Sequence, residues 1–170
     1  MPMTSVDVLE VVNALDAAGI AAWIGGGWGV DALVGRETRR HDDVDIAVRQ
    51  SDERLAIETI ATLGFEIIAE QDWRPSRVLF EDPDGRAVDL HPLVFDERSG
   101  DAFQANIDGL PPFHYPADQF VHGTIGGRRV RCIGRDLQVV FHSGYELGPK
   151  DRRDLEQLRK LRPFVNVRRH

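Results

Sequence analysis

Trp23–Val48, WIGGGWGVDALVGRETRRHDDVDIAV, joins a glycine turn to two carboxylates on one strand. AAWIG reads as a short buried strand, GGG interrupts it, WGVDALVG makes one short helix, and DVDIAV returns to strand alternation. In that last strand Asp43 and Asp45 are two residues apart, so both side chains leave the sheet on one face while Val44 leaves on the other. Carboxylates this close repel and tend to share a proton unless a cation neutralises them. Hard divalent ions such as Mg²⁺ favour oxygen ligands of this kind and keep positions open for phosphate oxygens. The glycine turn, at Gly26 and Gly27, feeds a helix N-terminus whose free N–H groups and positive dipole end attract phosphate. A phosphate cradle followed by a metal-binding Asp-x-Asp points to a nucleoside triphosphate.

The flanking sequence supplies support for this pair. Ser5 is positioned to cap a first helix with Val8, Val11, Val12 and Leu15 on its apolar face and Gly19 as its stop. Ser51 opens a second helix that runs through Leu63 and turns Leu55, Ile60 and Leu63 inward. FEIIAE follows as a strand. Ser76–Glu81 and Arg86–Leu93 flank the turn Asp82-Pro83-Asp84-Gly85 and form a hairpin. In its second strand Asp89 lies opposite in face to Val88 and Leu90, and an adjacent strand would bring it beside Asp43 and Asp45. Periodicity fades from Phe95 to Val121, a proline-rich segment that reads as an irregular binding loop or lid. GTIGGRRVRCIG is a second hairpin turning at Gly126-Gly127, Arg135–Phe141 begins another helix, and Asp151–Leu161 is the last, with Leu155 and Leu158 on one face.

At 170 residues, with no repeat, linker or low-complexity tract, the chain reads as a single domain, 1–170. Hydrophobic residues make up 42% and charged residues 29%, an ordinary balance for a globular protein. No apolar run approaches the roughly 18 residues that span a bilayer, and the N-terminus lacks a signal-peptide pattern, so the expected place is the cytoplasm with no membrane partner. The formal net charge of −7 argues against a general nucleic-acid surface, which needs a basic face. A cationic small molecule fits that balance better. Cys132 is the single cysteine and, in the alternating RRVRCIG, reads as a small core residue.

GGGWGVD, TRRHDDVDI and VDLHP together resemble the small antibiotic nucleotidyltransferases of the polymerase β-like superfamily. WRPSR at Trp73–Arg77, DLHP at Asp89–Pro92 and FHSGYEL at Phe141–Leu147 make the lincosamide nucleotidyltransferases the nearest likeness, followed by the aminoglycoside 2″-nucleotidyltransferases. Lys150, in PKDRRDLEQL, departs toward the broader superfamily, where a phosphate-binding lysine precedes an Asp-rich helix start. The resemblance implies an α+β fold, a mixed β-sheet flanked by helices, with the C-terminal helix 151–161 on or beside the sheet. It also implies transfer of a nucleoside monophosphate from ATP or another NTP to a drug hydroxyl, with release of pyrophosphate. Asp43 and Asp45 fall on the metal-binding pair, Gly26 and Gly27 on the glycine turn, and Asp89 on the third carboxylate.

The expected mechanism uses two Mg²⁺ ions held by Asp43, Asp45 and Asp89, with Asp89 also accepting the hydroxyl proton. Trp28 walls the nucleotide, while Arg39, Arg40 and Lys150 hold the triphosphate. Trp73, Arg77 and His91 face the drug. Asp31 and Trp23 read as structural. The expected acceptor is a lincosamide, with an aminoglycoside or another small-molecule, protein or RNA acceptor as alternatives, and the working form is a monomer or homodimer.

Overall fold

Alternation along Asp43–Arg49 (β2) divides its side chains between two layers, and the other elements follow that division. Val44, Ile46 and Val48 enter one hydrophobic cluster, while Ala47 enters a second on the opposite face. The computed structural model describes residues 1–162.

Helix α1 (Ser5–Ala17) is capped by Thr4 and not by the expected Ser5. The Thr4 side chain accepts from the Asp7 N–H, and Asp7 accepts in return from the Thr4 N–H, so two orphan donors are satisfied at once. Strand β1 (Ala22–Gly25) leads directly into α2 (Gly26–Val34), and α3 (Glu53–Thr62) starts after a short 3₁₀ turn that contains Ser51. Ser51 therefore does not cap α3, and Leu55, expected inside, is 43% exposed because Ala56 and Ile60 form the buried face.

The remaining strands are β3 (Glu66–Trp73), β4 (Arg77–Glu81), β5 (Ala87–Phe95), β6 (Ala102–Gln104), β7 (Phe113–Tyr115), β8 (Phe120–Ile125) and β9 (Arg128–Ile133). They form a mixed sheet in the order β3-β4-β5-β2-β1-β9-β8, and β6 and β7 extend from β5. The expected β4–β5 hairpin and the β8–β9 hairpin at Gly126-Gly127 are both present, the latter with φ of 55° and 79° at the two glycines. The segment Phe95–Val121 is more regular than expected. Its two three-residue strands are too short to show a period, and they are held by pairing with β5 and with each other.

Val8, Val11 and Leu15 of α1 and Ile60 of α3 cover one face of the sheet with Ile24, Val44, Ile46, Val88 and Leu90. Removing such surface from water, at about 25 cal/mol per Å², is the main force holding that layer. Helix α4 (Arg135–Phe141) places Leu137 on the second cluster with Tyr115 and Ile133. Helix α5 (Pro149–Lys160) starts two residues before the expected point, with Pro149 in its first turn, where a missing N–H costs nothing. Its Leu155 and Leu158 pack on Val30 of α2, so α5 sits beside the sheet through another helix. No helix among the described residues is long and apolar enough to cross a membrane.

Candidate active site

Parallel pairing of β2 with β5 places Asp45 directly across from Asp89 and Ala47 across from His91. On the other side of β2, antiparallel β1 brings Gly25 across from Asp45. Three elements distant in sequence thus converge on one carboxylate.

Gly26 opens α2 at φ 55°, and a Cβ there would overlap Asp45 Oδ2. The backbone can approach the carboxylate this closely only because the residue is glycine. A Cβ on Gly27 would overlap His41 Nδ1 and meet Arg39 Nη2 at 2.6 Å, so the second glycine of the turn is also confined. Of the two expected turn residues, Gly26 lies against the Asp45 carboxylate, while Gly27 faces His41 and Arg39.

Asp89 is buried, at 4% exposure. Arg77 Nη1 donates to its Oδ2 at 2.6 Å, while Oδ1 has no hydrogen-bond partner among the described residues. An unpaired buried oxygen carries its full desolvation cost, so this atom is suited to receive a cation or a proton. Ligand atoms from Asp45, Asp89 and His91 lie within 4.8 Å of one another. The two carboxylates of that group, one with an orphaned oxygen, fit a hard divalent cation. Burial raises the Asp89 pKa above the usual carboxylate range, opposed by His91 and Arg77 and reinforced by the Asp45 and Asp43 charges. Asp43, expected to bind metal with them, is exposed and lies outside that group of ligand atoms; desolvation and the Asp45 charge raise its pKa, and Lys150 opposes the shift.

Trp28 occupies a different place from the expected one. Its ring is 2% exposed in the main core and packs on His41 at 4.8 Å, so it does not wall the cleft beside Asp45. The inward stripe of α2, Trp28 and Ala32, belongs to the layer under the sheet. Arg39 is also engaged: its Nε and Nη2 each donate at 2.8 Å to the two oxygens of Asp154, which is buried. The bidentate pair joins the loop before β2 to α5. Burial opposes the ionised form of Asp154, yet the Arg39 hydrogen bonds and His142 hold its pKa down at about 2. Asp31 is structural as expected, accepting from Thr38 and bonding His41 at 2.6 Å. Arg40 is exposed, and Lys150 Nζ stands 3.5 Å from Asp42 at the same rim.

Two recesses adjoin at His91, and the first of them reaches Asp45. One, of about 210 Å³, is bordered by Gly25, Gly26, Asp45, His91 and His142. The other, of about 460 Å³, runs between Trp73, Phe113, Tyr115 and Phe141 with Arg77 and Asn106 on its rim. His91, Tyr115 and Phe141 border both. Trp73 remains 39% exposed, and the Arg77 guanidinium lies 4.6 Å from its ring centre. Trp73, Arg77 and His91 are therefore gathered on one aromatic cleft. Gln104 and Tyr115, which sequence reasoning passed over, also reach it; the only local signal was the alternation of Phe113 and Tyr115.

A glycine turn pressed on one of two carboxylates that pair across parallel strands, beside an adjoining apolar cleft, is an arrangement suited to nucleotidyl transfer. The family model described as aminoglycoside-2''-adenylyltransferase matches residues 7–158, and the chain belongs to that family. A lincosamide resistance protein of Staphylococcus haemolyticus is 29% identical over 159 residues, which cover 94% of this chain and 96% of the relative. A 2''-aminoglycoside nucleotidyltransferase of Escherichia coli is 31% identical over 155 residues, covering 89% and 81%. The crystal structure of the lincosamide antibiotic adenylyltransferase LnuA, lincomycin-bound, superposes with a TM-score of 0.84 at 28% identity, covering 94% of this chain and 99% of that one. The chain is thus an enzyme of the nucleotidyltransferase class with the mixed-sheet fold of that superfamily.

Proposed function

We propose that this protein transfers a nucleoside monophosphate from ATP to a sugar hydroxyl of a lincosamide, within a single domain, releasing pyrophosphate and inactivating the drug. The observation that carries this reading is the direct pairing of Asp45 with Asp89 beneath Gly26, beside a cleft walled by Trp73, Phe113 and Tyr115.

Asp43, Asp45 and Asp89 would hold Mg²⁺, which when bound neutralises triphosphate charge and polarises the acceptor oxygen. The N–H groups that open α2 at Gly26 and Gly27 would receive phosphate, and exposed Arg40 and Lys150 would add positive charge beside it. Arg39 contributes by anchoring the loop to Asp154. The acceptor oxygen forms a bond to the α-phosphorus, the bond to pyrophosphate breaks, and the hydroxyl proton passes to Asp89. Arg77 fixes Asp89 through Oδ2 and leaves Oδ1 available for that proton. In the metal-free protein burial raises the Asp89 pKa, the direction a general base needs. Trp73 and Phe113 offer flat apolar walls to an amphipathic sugar-bearing drug.

An aminoglycoside acceptor is the second reading, favoured by the net charge of −7 and by the 31% identical relative. Purified protein incubated with ATP, Mg²⁺ and a panel of both drug classes decides between them, with mass spectrometry reading the added nucleotide. An adduct on lincomycin is expected. Adducts on aminoglycosides alone would transfer the assignment, and no adduct on any drug would refute both readings.

A further inference from the structure

His91 Nε2 lies 3.1 Å from Asp45 Oδ1 and 3.5 Å from Asp89 Oδ1, a position open to two opposite roles. Without its proton, Nε2 would add a third ligand to the carboxylates. With its proton, Nε2 cannot ligate and instead donates to Asp45. The far side of the ring decides between them.

Ser76 O can only accept, and it takes a hydrogen bond from Gln104 Nε2 at 3.1 Å. That contact orients the amide, and Tyr115 reinforces it by donating its hydroxyl to Gln104 Oε1 at 2.6 Å. Ser76, Gln104 and Tyr115 are each 5% exposed, so these bonds are largely shielded from water. Burial and the nearby carboxylates raise the Tyr115 pKa, which keeps the hydroxyl a neutral donor. With its orientation set, the amide presents its remaining N–H to His91 Nδ1 at 2.9 Å. A nitrogen that accepts there carries no proton, so the neutral ring holds its proton on Nε2.

We propose that Gln104 and Tyr115 are positioning residues for nucleotidyl transfer: they hold His91 as the Nε2–H tautomer, which clamps Asp45 and does not ligate metal. The proposal rests on the reading of Asp45 as a metal-binding carboxylate. Asp45 Oδ1 is held by His91 while Oδ2 lies against Gly26, so the carboxylate is fixed from both sides. Outer-shell hydrogen bonds of this kind set the direction in which a carboxylate presents its lone pairs. The assignment also separates His91 from the drug-facing role expected of it, since its two nitrogens are engaged with protein groups.

The test uses the full chain labelled with ¹⁵N, with the His91 imidazole resonances assigned by their loss in His91→Gln. Long-range ¹H–¹⁵N correlations are expected to show the Nε2–H tautomer, unchanged when MgCl₂ alone is added. Gln104→Glu replaces the donor with an acceptor and is expected to draw the proton to Nδ1. Its kcat for pyrophosphate release with ATP and lincomycin should fall about 10- to 100-fold. Tyr115→Phe, the milder variant, should retain the tautomer and lose less turnover. A wild-type Nδ1–H tautomer, loss of the Nε2 proton on adding Mg²⁺, or wild-type turnover in Gln104→Glu would each overturn the proposal. Absence of any lincomycin adduct with wild-type protein would refute the functional reading, while the tautomer spectra would still decide the clamp.

Discussion

Asp45→Asn should stabilise the metal-free protein while abolishing its response to Mg²⁺. Asp45 and Asp89 are registered partners on adjacent strands, about 5 Å apart. Two charges at that spacing repel by roughly 3 kcal/mol at an effective dielectric near 20. Arg77 on Asp89 and His91 on Asp45 offset part of this, which leaves a gain on the order of 1 kcal/mol when one charge is removed. Asparagine keeps an oxygen for the His91 hydrogen bond, so the packing is preserved. For a chain of this size that gain raises the unfolding midpoint by about 2–4 °C. Wild-type protein at a Mg²⁺ concentration near a hundred times Kd should gain about 2.7 kcal/mol, a shift of about 5–11 °C. In the variant most of that shift should vanish, and turnover should fall more than about 100-fold because a metal ligand matters at least as much as its outer-shell partners. Differential scanning calorimetry with and without MgCl₂ reads both effects. A midpoint several degrees lower in the variant, with the Mg²⁺ shift intact, would show that Asp45 is a structural residue and refute the reasoning.

Breaking the buried Arg39–Asp154 pair by Arg39→Met should cost about 3–5 kcal/mol, because it leaves the Asp154 charge without its bidentate partner; urea unfolding measures it. Asp154 also sets an acid limb. Its folded pKa of about 2 lies below an unfolded value near 4, so its stabilisation of about 2–3 kcal/mol is complete above pH 4 and is lost as pH falls toward 2. Unfolding curves across that window should show a slope that Asp154→Asn lacks. Gly26→Ala places a Cβ against Asp45 Oδ2 at φ 55°, adding strain of about 1–2 kcal/mol and displacing the carboxylate, so Mg²⁺-dependent turnover should fall further than calorimetric stability. Trp73→Ala should raise KM for the drug about tenfold and leave KM for ATP unchanged in steady-state assays, because the ring lines only the aromatic recess.

Local pattern carried a large part of this protein. The two-residue spacing of Asp43 and Asp45 dictates a shared face, and the glycines before Trp28 dictate a turn, because side-chain alternation and backbone freedom are properties of neighbouring residues. The hairpins at Asp82–Gly85 and Gly126-Gly127 were legible for the same reason. Trp28 was misplaced because nothing in its neighbourhood tells which side of a nine-residue helix meets the sheet. Arg39 was expected on phosphate because its partner, Asp154, lies 115 residues away. The pairing of Asp45 with Asp89, and the bonds that carry Tyr115 and Gln104 to His91, required β2, β5, β6 and β7 to assemble in register. Register between distant strands is set by the burial of Val44, Ile46, Val88 and Leu90 together, a property of the whole core. By itself the sequence determined the chemistry of the Asp-x-Asp strand and its glycine turn and named Asp89 as the third carboxylate, while tertiary structure decided that β5 pairs with β2 in the register that sets Asp89 against Asp45, and what holds each oxygen in place.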